Sequence, residues 1–104
     1  MSSRSKGFKA ERKAEQELQS QGYLTYRVKG STRWNREVDM FGLFDILAIK
    51  KTGDVQRRVW LQVKCNRKPT LKPYIDFRDK YCSGADSIQL WVWVDRKGFQ
   101  KTIL

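Results

Sequence analysis

Hydrophobic and polar positions alternate along residues 59–65, Val-Trp-Leu-Gln-Val-Lys-Cys. Successive side chains of a strand point to opposite faces, so this stretch predicts a strand that carries Gln62 and Lys64 together on one face. The apolar run at residues 43–49 predicts a second strand, with Asp45 in its middle. A buried charge without a partner is very costly, so Asp45 must be paired, neutralised or bound to a metal.

A short turn joins these two strands. Residues 51–54, Lys-Thr-Gly-Asp, contain the glycine and aspartate that are typical of turns. The strands at 43–49 and 57–65 should therefore pair as an antiparallel hairpin. This hairpin would bring Asp45 and Gln62 side by side.

Residues 5–21 predict an amphipathic helix, because apolar side chains recur there at every fourth position. Gly22 is expected to end the helix as the residue just beyond its C-cap. Glu11 precedes Leu18 by seven residues and so projects only about 20° away from it. Glu11 can therefore face the sheet from the shoulder of the buried stripe, although a solvated glutamate with basic neighbours is the alternative. The stripe consists of Ala10, Ala14 and Leu18.

The other elements complete an α-β-β-β-α-β-β order. Residues 23–28 predict a short first strand, and 29–40 a polar loop. Pro73 suits the first turn of a second helix, which Gly84 would end. Residues 88–94 are apolar at most positions and predict a central strand buried on both faces, and residues 99–103 predict an edge strand.

Net charge is the most informative bulk property. The 104-residue chain has 22 basic and 11 acidic residues, and its net charge is +11. This excess favours nucleic acid as the partner, with an anionic membrane surface second. No apolar run approaches the length of a membrane span, so we expect no membrane insertion. The length predicts a single domain over residues 1–104.

The histidine and cysteine content limits the chemistry. The chain has no histidine, which excludes Ser-His and Cys-His nucleophile pairs. With only two cysteines, Cys65 and Cys82, and no histidine, the chain has too few of the usual zinc ligands for a zinc site. The N-terminal residues lack the apolar core of a signal peptide, which predicts an intracellular protein of the cytoplasm or nucleoid, or of the host cytoplasm if viral. Its thiols should then be reduced.

An acid on the first helix, an aspartate on the second strand and a lysine two residues after a polar side chain on the third form an ordered set. This set resembles the PD-(D/E)xK nucleases, and among them the archaeal-type Holliday junction resolvases and their phage relatives. The matching stretches cover roughly the first two-thirds of the chain: Lys6-Gly7, Ala10-Glu11-Arg12, Gly22-Tyr23, Arg27 with Gly30-Ser31, Phe44-Asp45-Ile46-Leu47-Ala48 and Gln62-Val63-Lys64.

The resemblance implies an α/β fold with a restriction-endonuclease-like core, in which helices flank a mixed sheet. It implies a metal-dependent, structure-selective DNA endonuclease, with Holliday junctions as the expected substrate. Mg²⁺, for which Mn²⁺ should substitute, would be held by Glu11, Asp45, Gln62 and the carbonyl of Val63. Lys64 would position or polarise the attacking water, so the expected catalytic residues are Glu11, Asp45, Gln62 and Lys64. The expected DNA-binding residues are Lys6, Lys9, Arg12, Ser31, Arg33, Arg67 and Lys68.

Symmetric cuts across a junction need two sites related by a two-fold axis, so a homodimer is expected. The aromatic segment around Trp91 and Trp93 is a candidate interface. A buried strand is the alternative interpretation of the same residues.

Two features depart from the family pattern. Gln62 occupies a position at which the family usually has a carboxylate; an amide oxygen can ligate Mg²⁺ but adds no charge, so metal affinity should be weaker. Asp39 offers a second acid before the strand, and could replace Asp45 as the motif acid.

Three alternatives to the nuclease stay open. One is a non-catalytic DNA-binding module with the same fold, and another is an RNA- or ribosome-associated basic protein. In the third, Asp45 and Lys64 form a purely structural buried ion pair, which would leave Glu11 unexplained.

Overall fold

The computed structural model describes residues 3–28 and 39–104, with side chains from residue 9 onward. Its helices and strands follow the order predicted from the sequence, α-β-β-β-α-β-β. The fold is therefore α/β, with one mixed five-stranded sheet and two helices. The elements are α1 (Ser3–Ser20), β1 (Leu24–Arg27), β2 (Ile46–Thr52), β3 (Val55–Cys65), α2 (Lys72–Tyr81), β4 (Asp86–Val94) and β5 (Gly98–Ile103).

The end of α1 confirms the role predicted for Gly22. The Gly22 N–H donates to the carbonyl of Gln19 at 3.0 Å, and the Tyr23 N–H donates to that of Leu18 at 3.1 Å. Gly22 has a φ of 94°, which a residue with a side chain rarely adopts. These bonds form a Schellman motif, which ends the helix and directs the chain into β1.

The five strands lie in their chain order across the sheet. β3 and β4 pair in parallel, because α2 carries the chain back between them, and all other neighbours are antiparallel. β3 is therefore the middle strand. β4 is an interior strand beside it, one position away from the predicted centre, and β5 forms the edge as expected.

Each face of the sheet packs against one helix. The face with Val59 and Leu61 packs against the stripe of α1, and the face with Trp60 packs against α2. This confirms the alternation predicted for β3. Trp91 is only 2% exposed and lies in the α1 core, so its predicted role in a dimer interface is wrong.

The start of β2 differs from the prediction. β2 begins at Ile46 instead of residue 43, because residues 40–43 form a tight turn in which Phe41 and Gly42 have φ values of 56° and 69°. The Leu43 N–H closes this turn with a 2.9 Å bond to the Met40 carbonyl. Asp45 thus lies just before the strand and not in its middle.

The second helix also ends earlier than predicted. α2 stops at Tyr81, because Cys82 is extended with φ −93° and ψ 147°. Gly84 lies in the connection to β4. Among the described helices, none is long and apolar enough to cross a membrane.

Candidate active site

Asp45 is held at the entry to β2 by backbone bonds on both sides. Its N–H donates to the carbonyl of Leu61 at 2.9 Å, and its carbonyl accepts from Val28 at 2.9 Å. Its carboxylate Oδ2 accepts the N–H of Val63 at 2.9 Å. Asp45 is 8% exposed, and its position is fixed by β3 and by the residue that follows β1.

Gln62 lies beside Asp45, as the hairpin predicts, and is 2% exposed. The orientation of its amide follows from its partners, since a carbonyl and a carboxylate both require a donor. Nε2 therefore donates to the carbonyl of Leu43 at 2.6 Å and to Oδ2 of Asp45 at 3.2 Å. Oε1 accepts from Nζ of Lys64 at 3.1 Å. Gln62 is thus a neutral bridge between the Asp45 carboxylate and the Lys64 ammonium.

This orientation bears on the ligand role expected for Gln62. Its amide oxygen faces Lys64, and its NH₂ group faces Asp45. For Oε1 to turn toward an ion beside Asp45, the amide would have to give up its bonds to Leu43 and Lys64. The carbonyl of Val63 stays a predicted ligand.

Asp39 joins the same site, which the sequence pattern did not predict. Its carboxyl group lies within hydrogen-bonding reach of that of Asp45. Burial, followed by this interaction with Asp39, raises the pKa of Asp45 well above its usual value. The physical reason is that ionising the buried Asp45 next to a second carboxyl group is unfavourable without a cation. Asp39 and Asp45, weighed as alternatives from the sequence, therefore act together.

Glu11 reaches the site from the opposite helix. Burial raises the pKa of its carboxyl group, and the charge of Asp39 acts in the same direction. Arg27 and Lys64 oppose this rise, so Glu11 lies within electrostatic reach of both cations. Arg27 is in turn held by Glu15, with 3.3 Å between Nε and Oε1. The position of Glu11 agrees with the prediction that it faces the sheet.

The oxygen donors at this site fit a hard divalent cation. Mg²⁺ is commonly bound by one or two carboxylates and keeps several waters. Asp39 and Asp45 provide two adjoining carboxyl groups, and a cation between them would favour ionisation of Asp45. Within residues 9–28 and 39–104, no three acidic, cysteine or histidine side chains lie close enough together to enclose an ion. Glu11 therefore lies outside the pair of carboxyl groups that would hold the cation.

A basic groove opens beside the carboxylates. Its volume is about 450 Å³, and Lys64, Arg67 and Lys68 contribute its positive charge. All three side chains are exposed, so the groove can accept an anionic chain from solvent. Its other lining residues are Gly42, Leu43, Pro69, Thr70, Pro73 and Tyr74.

The remaining residues expected to bind DNA are only partly described. Lys9 and Arg12 are exposed on α1, at the same end of the helix as Glu11. Ser31 and Arg33 lie outside the described residues, as does the side chain of Lys6.

No family model matches the chain, and no curated protein matches it. The functional conclusion therefore depends on the geometry of the site.

Proposed function

We propose that this protein is a metal-dependent DNA endonuclease with a restriction-endonuclease-like core, selective for branched DNA such as Holliday junctions. One observation carries the proposal. The buried carboxyl group of Asp45 adjoins that of the half-buried Asp39 and is linked through Gln62 to Lys64, beside a groove lined with cations. A structural ion pair needs neither the second carboxyl group nor the groove.

The residues of this site would have different roles in phosphodiester hydrolysis. Asp39 and Asp45 would hold Mg²⁺, or Mn²⁺ in its place; a bound divalent cation would stabilise negative charge on the phosphate oxygens. Lys64 provides a compact positive charge next to the scissile phosphate and the attacking water. Gln62 positions that ammonium through its 3.1 Å hydrogen bond.

The groove orients the substrate. Arg67 and Lys68 are exposed beside Lys64 and would contact phosphates on either side of the scissile one. Lys9 and Arg12 extend the positive surface on α1, where Glu11 faces the same centre. Symmetric cleavage of a four-way junction would use a homodimer.

A non-catalytic DNA-binding module is the second candidate, and one observation favours it. The NH₂ group of Gln62 donates to Asp45 where the nuclease pattern has a carboxylate. Such a protein would bind branched DNA through the groove without hydrolysing it.

Cleavage assays separate the two candidates. Labelled junction, flap, nicked duplex, duplex, single-stranded DNA and RNA are incubated with and without Mg²⁺. Asp45→Ala should abolish cleavage with unchanged or tighter binding, because a carboxylate near the phosphates is removed. Lys64→Ala should lower turnover by about 100-fold or more. Lys97→Ala, in the exposed β4–β5 turn, is the control for loss of one positive charge.

Two results would decide against the nuclease. Wild-type protein that binds junctions but cleaves none of the substrates would be the DNA-binding module. Cleavage at the wild-type rate by both Asp45→Ala and Lys64→Ala would show that this site does not catalyse the reaction.

A further inference from the structure

A second cavity, unrelated to the sequence motifs, lies between α2 and β3. Its volume is about 610 Å³, within the range of about 300–1,000 Å³ typical of small-molecule sites. Half of its lining residues are aromatic, and one end is charged. The lining residues are Phe41, Leu43, Arg58, Trp60, Phe77, Tyr81, Cys82 and Asp86. We call it the aromatic pocket.

The aromatic rings of the pocket contact one another, with their planes tilted by 53° between Phe41 and Trp60 and by 38° between Phe41 and Phe77. The ring of Phe41 lies 6.1 Å from that of Trp60 and 5.5 Å from that of Phe77. Tyr81 continues the row at 5.1 Å from Phe77. Phe41 and Tyr81 are 72% and 73% exposed, so two large rings face solvent at the rim. Exposed rings in a row are the usual platform for stacking of nucleobases.

The backbone at Phe41 supports the same interpretation. Its φ of 56° is uncommon for a bulky residue, and the turn at residues 40–43 holds it there. Strained residues of this kind often occur at ligand sites. Here the turn holds the Phe41 ring at the rim of the pocket, where most of its side chain is exposed.

The charged end of the pocket presents donors. Asp86 accepts hydrogen bonds from Arg58 at 2.5 Å, from the Trp60 indole at 3.1 Å and from the Ser83 N–H at 2.8 Å. Its side chain is 5% exposed, whereas that of Arg58 is 32% exposed. A ligand therefore meets the guanidinium and not the carboxylate. A flat apolar body with acceptors on one edge fits this pocket, and a nucleobase has that form.

The pocket adjoins the basic groove, since Leu43 lines both. A strand whose phosphates lie along Lys64, Arg67 and Lys68 could place a neighbouring base across the turn at residues 40–43. The guanidinium of Arg58 at one end of the pocket and the cations of the adjoining groove favour an anionic nucleic acid as the occupant.

We propose that the aromatic pocket binds an unpaired nucleobase of the nucleic acid held in the groove. The inference deepens the proposed function, since it makes an unpaired base next to the scissile phosphate part of substrate recognition. A base within a regular duplex cannot reach the pocket. Selectivity for branched or gapped DNA would then have a direct structural cause.

Binding without cleavage tests this. A labelled single-stranded oligonucleotide is titrated by fluorescence anisotropy without divalent ions, and each nucleotide in turn is replaced by an abasic site. At one position the abasic site should weaken binding of the wild-type protein about tenfold, equivalent to about 1.4 kcal/mol. Phe41→Gly, which suits the positive φ, and Tyr81→Ala should each remove most of this difference. Tyr26→Ala, 63% exposed on β1, should retain it.

Three results would overturn the proposal: equal affinity at every abasic position, an equal effect of Tyr26→Ala, or a wild-type dimer that Phe41→Gly converts to a monomer in light scattering. The last would identify the pocket as an interface between copies. Thermal unfolding checks that each variant folds, and Tyr81→Ala decides the matter if Phe41→Gly does not fold. Failure of the nuclease assignment appears separately, as wild-type cleavage by Asp45→Ala and Lys64→Ala, and leaves this binding measurement intact.

Discussion

Replacing Gln62 with glutamate tests the organisation of the site most directly. Glutamate has nearly the shape of glutamine, but it removes the NH₂ donor and adds a charge. The carboxylate oxygen in place of Nε2 would lie 2.6 Å from the carbonyl oxygen of Leu43 and 3.2 Å from Oδ2 of Asp45. Both contacts change from attractive to repulsive, and only the contact with Lys64 improves.

The expected cost follows from these contacts. A buried acceptor that loses its donor costs about 1–3 kcal/mol, and the bond to the Asp45 carboxylate contributes about 1.5–3 kcal/mol. Attraction to Lys64 offsets part of this sum. We expect Gln62→Glu to lower the free energy of unfolding by about 2–4 kcal/mol without metal. In a domain of this size that lowers the Tm by about 10–20 °C.

Magnesium should reverse much of this loss. A cation between Asp45 and a glutamate at position 62 would satisfy both carboxylates, and a ligand that binds only the folded state stabilises it. The Tm is measured by circular dichroism at about pH 8, where a glutamate of the unfolded chain is ionised, with EDTA and over a range of Mg²⁺ concentrations. Gln62→Met is the control, because it removes the donor without adding charge. It should be destabilised in EDTA but should not gain a stronger response to Mg²⁺.

Gln62→Glu should need less Mg²⁺ than wild type for half-maximal cleavage, because it adds a carboxylate ligand. An unchanged Tm of Gln62→Glu in EDTA would refute the assigned amide orientation. If Mg²⁺ raised the Tm of Gln62→Glu no more than that of wild type, no ion would bind beside position 62.

Three further predictions follow from other parts of the structure. Asp39→Asn should raise the Mg²⁺ concentration for half-maximal cleavage about tenfold or more, because a carboxylate of the pair is lost. Asp54→Asn, in the exposed β2–β3 turn, is the control. If both variants needed the same Mg²⁺ concentration, Asp39 would not belong to the site. The bond from Arg58 holds the pKa of Asp86 well below its usual range, despite the opposing effect of burial, with further help from Ser83 and Trp60. This stabilisation is present above the unfolded pKa of about 3.9 and is lost as pH falls through the lower folded pKa. Asp86→Asn should therefore lower the free energy of unfolding in urea by about 2 kcal/mol at neutral pH, and by progressively less below about pH 4. A constant difference across that range would contradict the linkage. If about six phosphates are contacted, log K for DNA should fall with log salt at a slope near −5, and a slope near zero would exclude nucleic acid as the partner.

Sequence alone predicted the features that depend on local patterns. The period-two alternation at residues 59–65 placed Gln62 and Lys64 on one face of β3, and the turn after β2 predicted the hairpin that brings Asp45 beside Gln62. The sequence also predicted the apolar stripe on α1 and the end of that helix at Gly22. Periodicity and turn chemistry are properties of neighbouring residues, so no knowledge of distant contacts is needed.

Tertiary structure alone decided the rest. Asp39 has no strand pattern around it, and it meets Asp45 only because the turn at residues 40–43 folds back before β2. The amide of Gln62 is oriented by the Leu43 carbonyl, which the same turn supplies. The aromatic pocket requires α2 to pack beside β3 after the crossover. Contacts between segments far apart in the chain depend on the order and direction of the strands, and these are set by packing of the whole sheet and not by any local pattern.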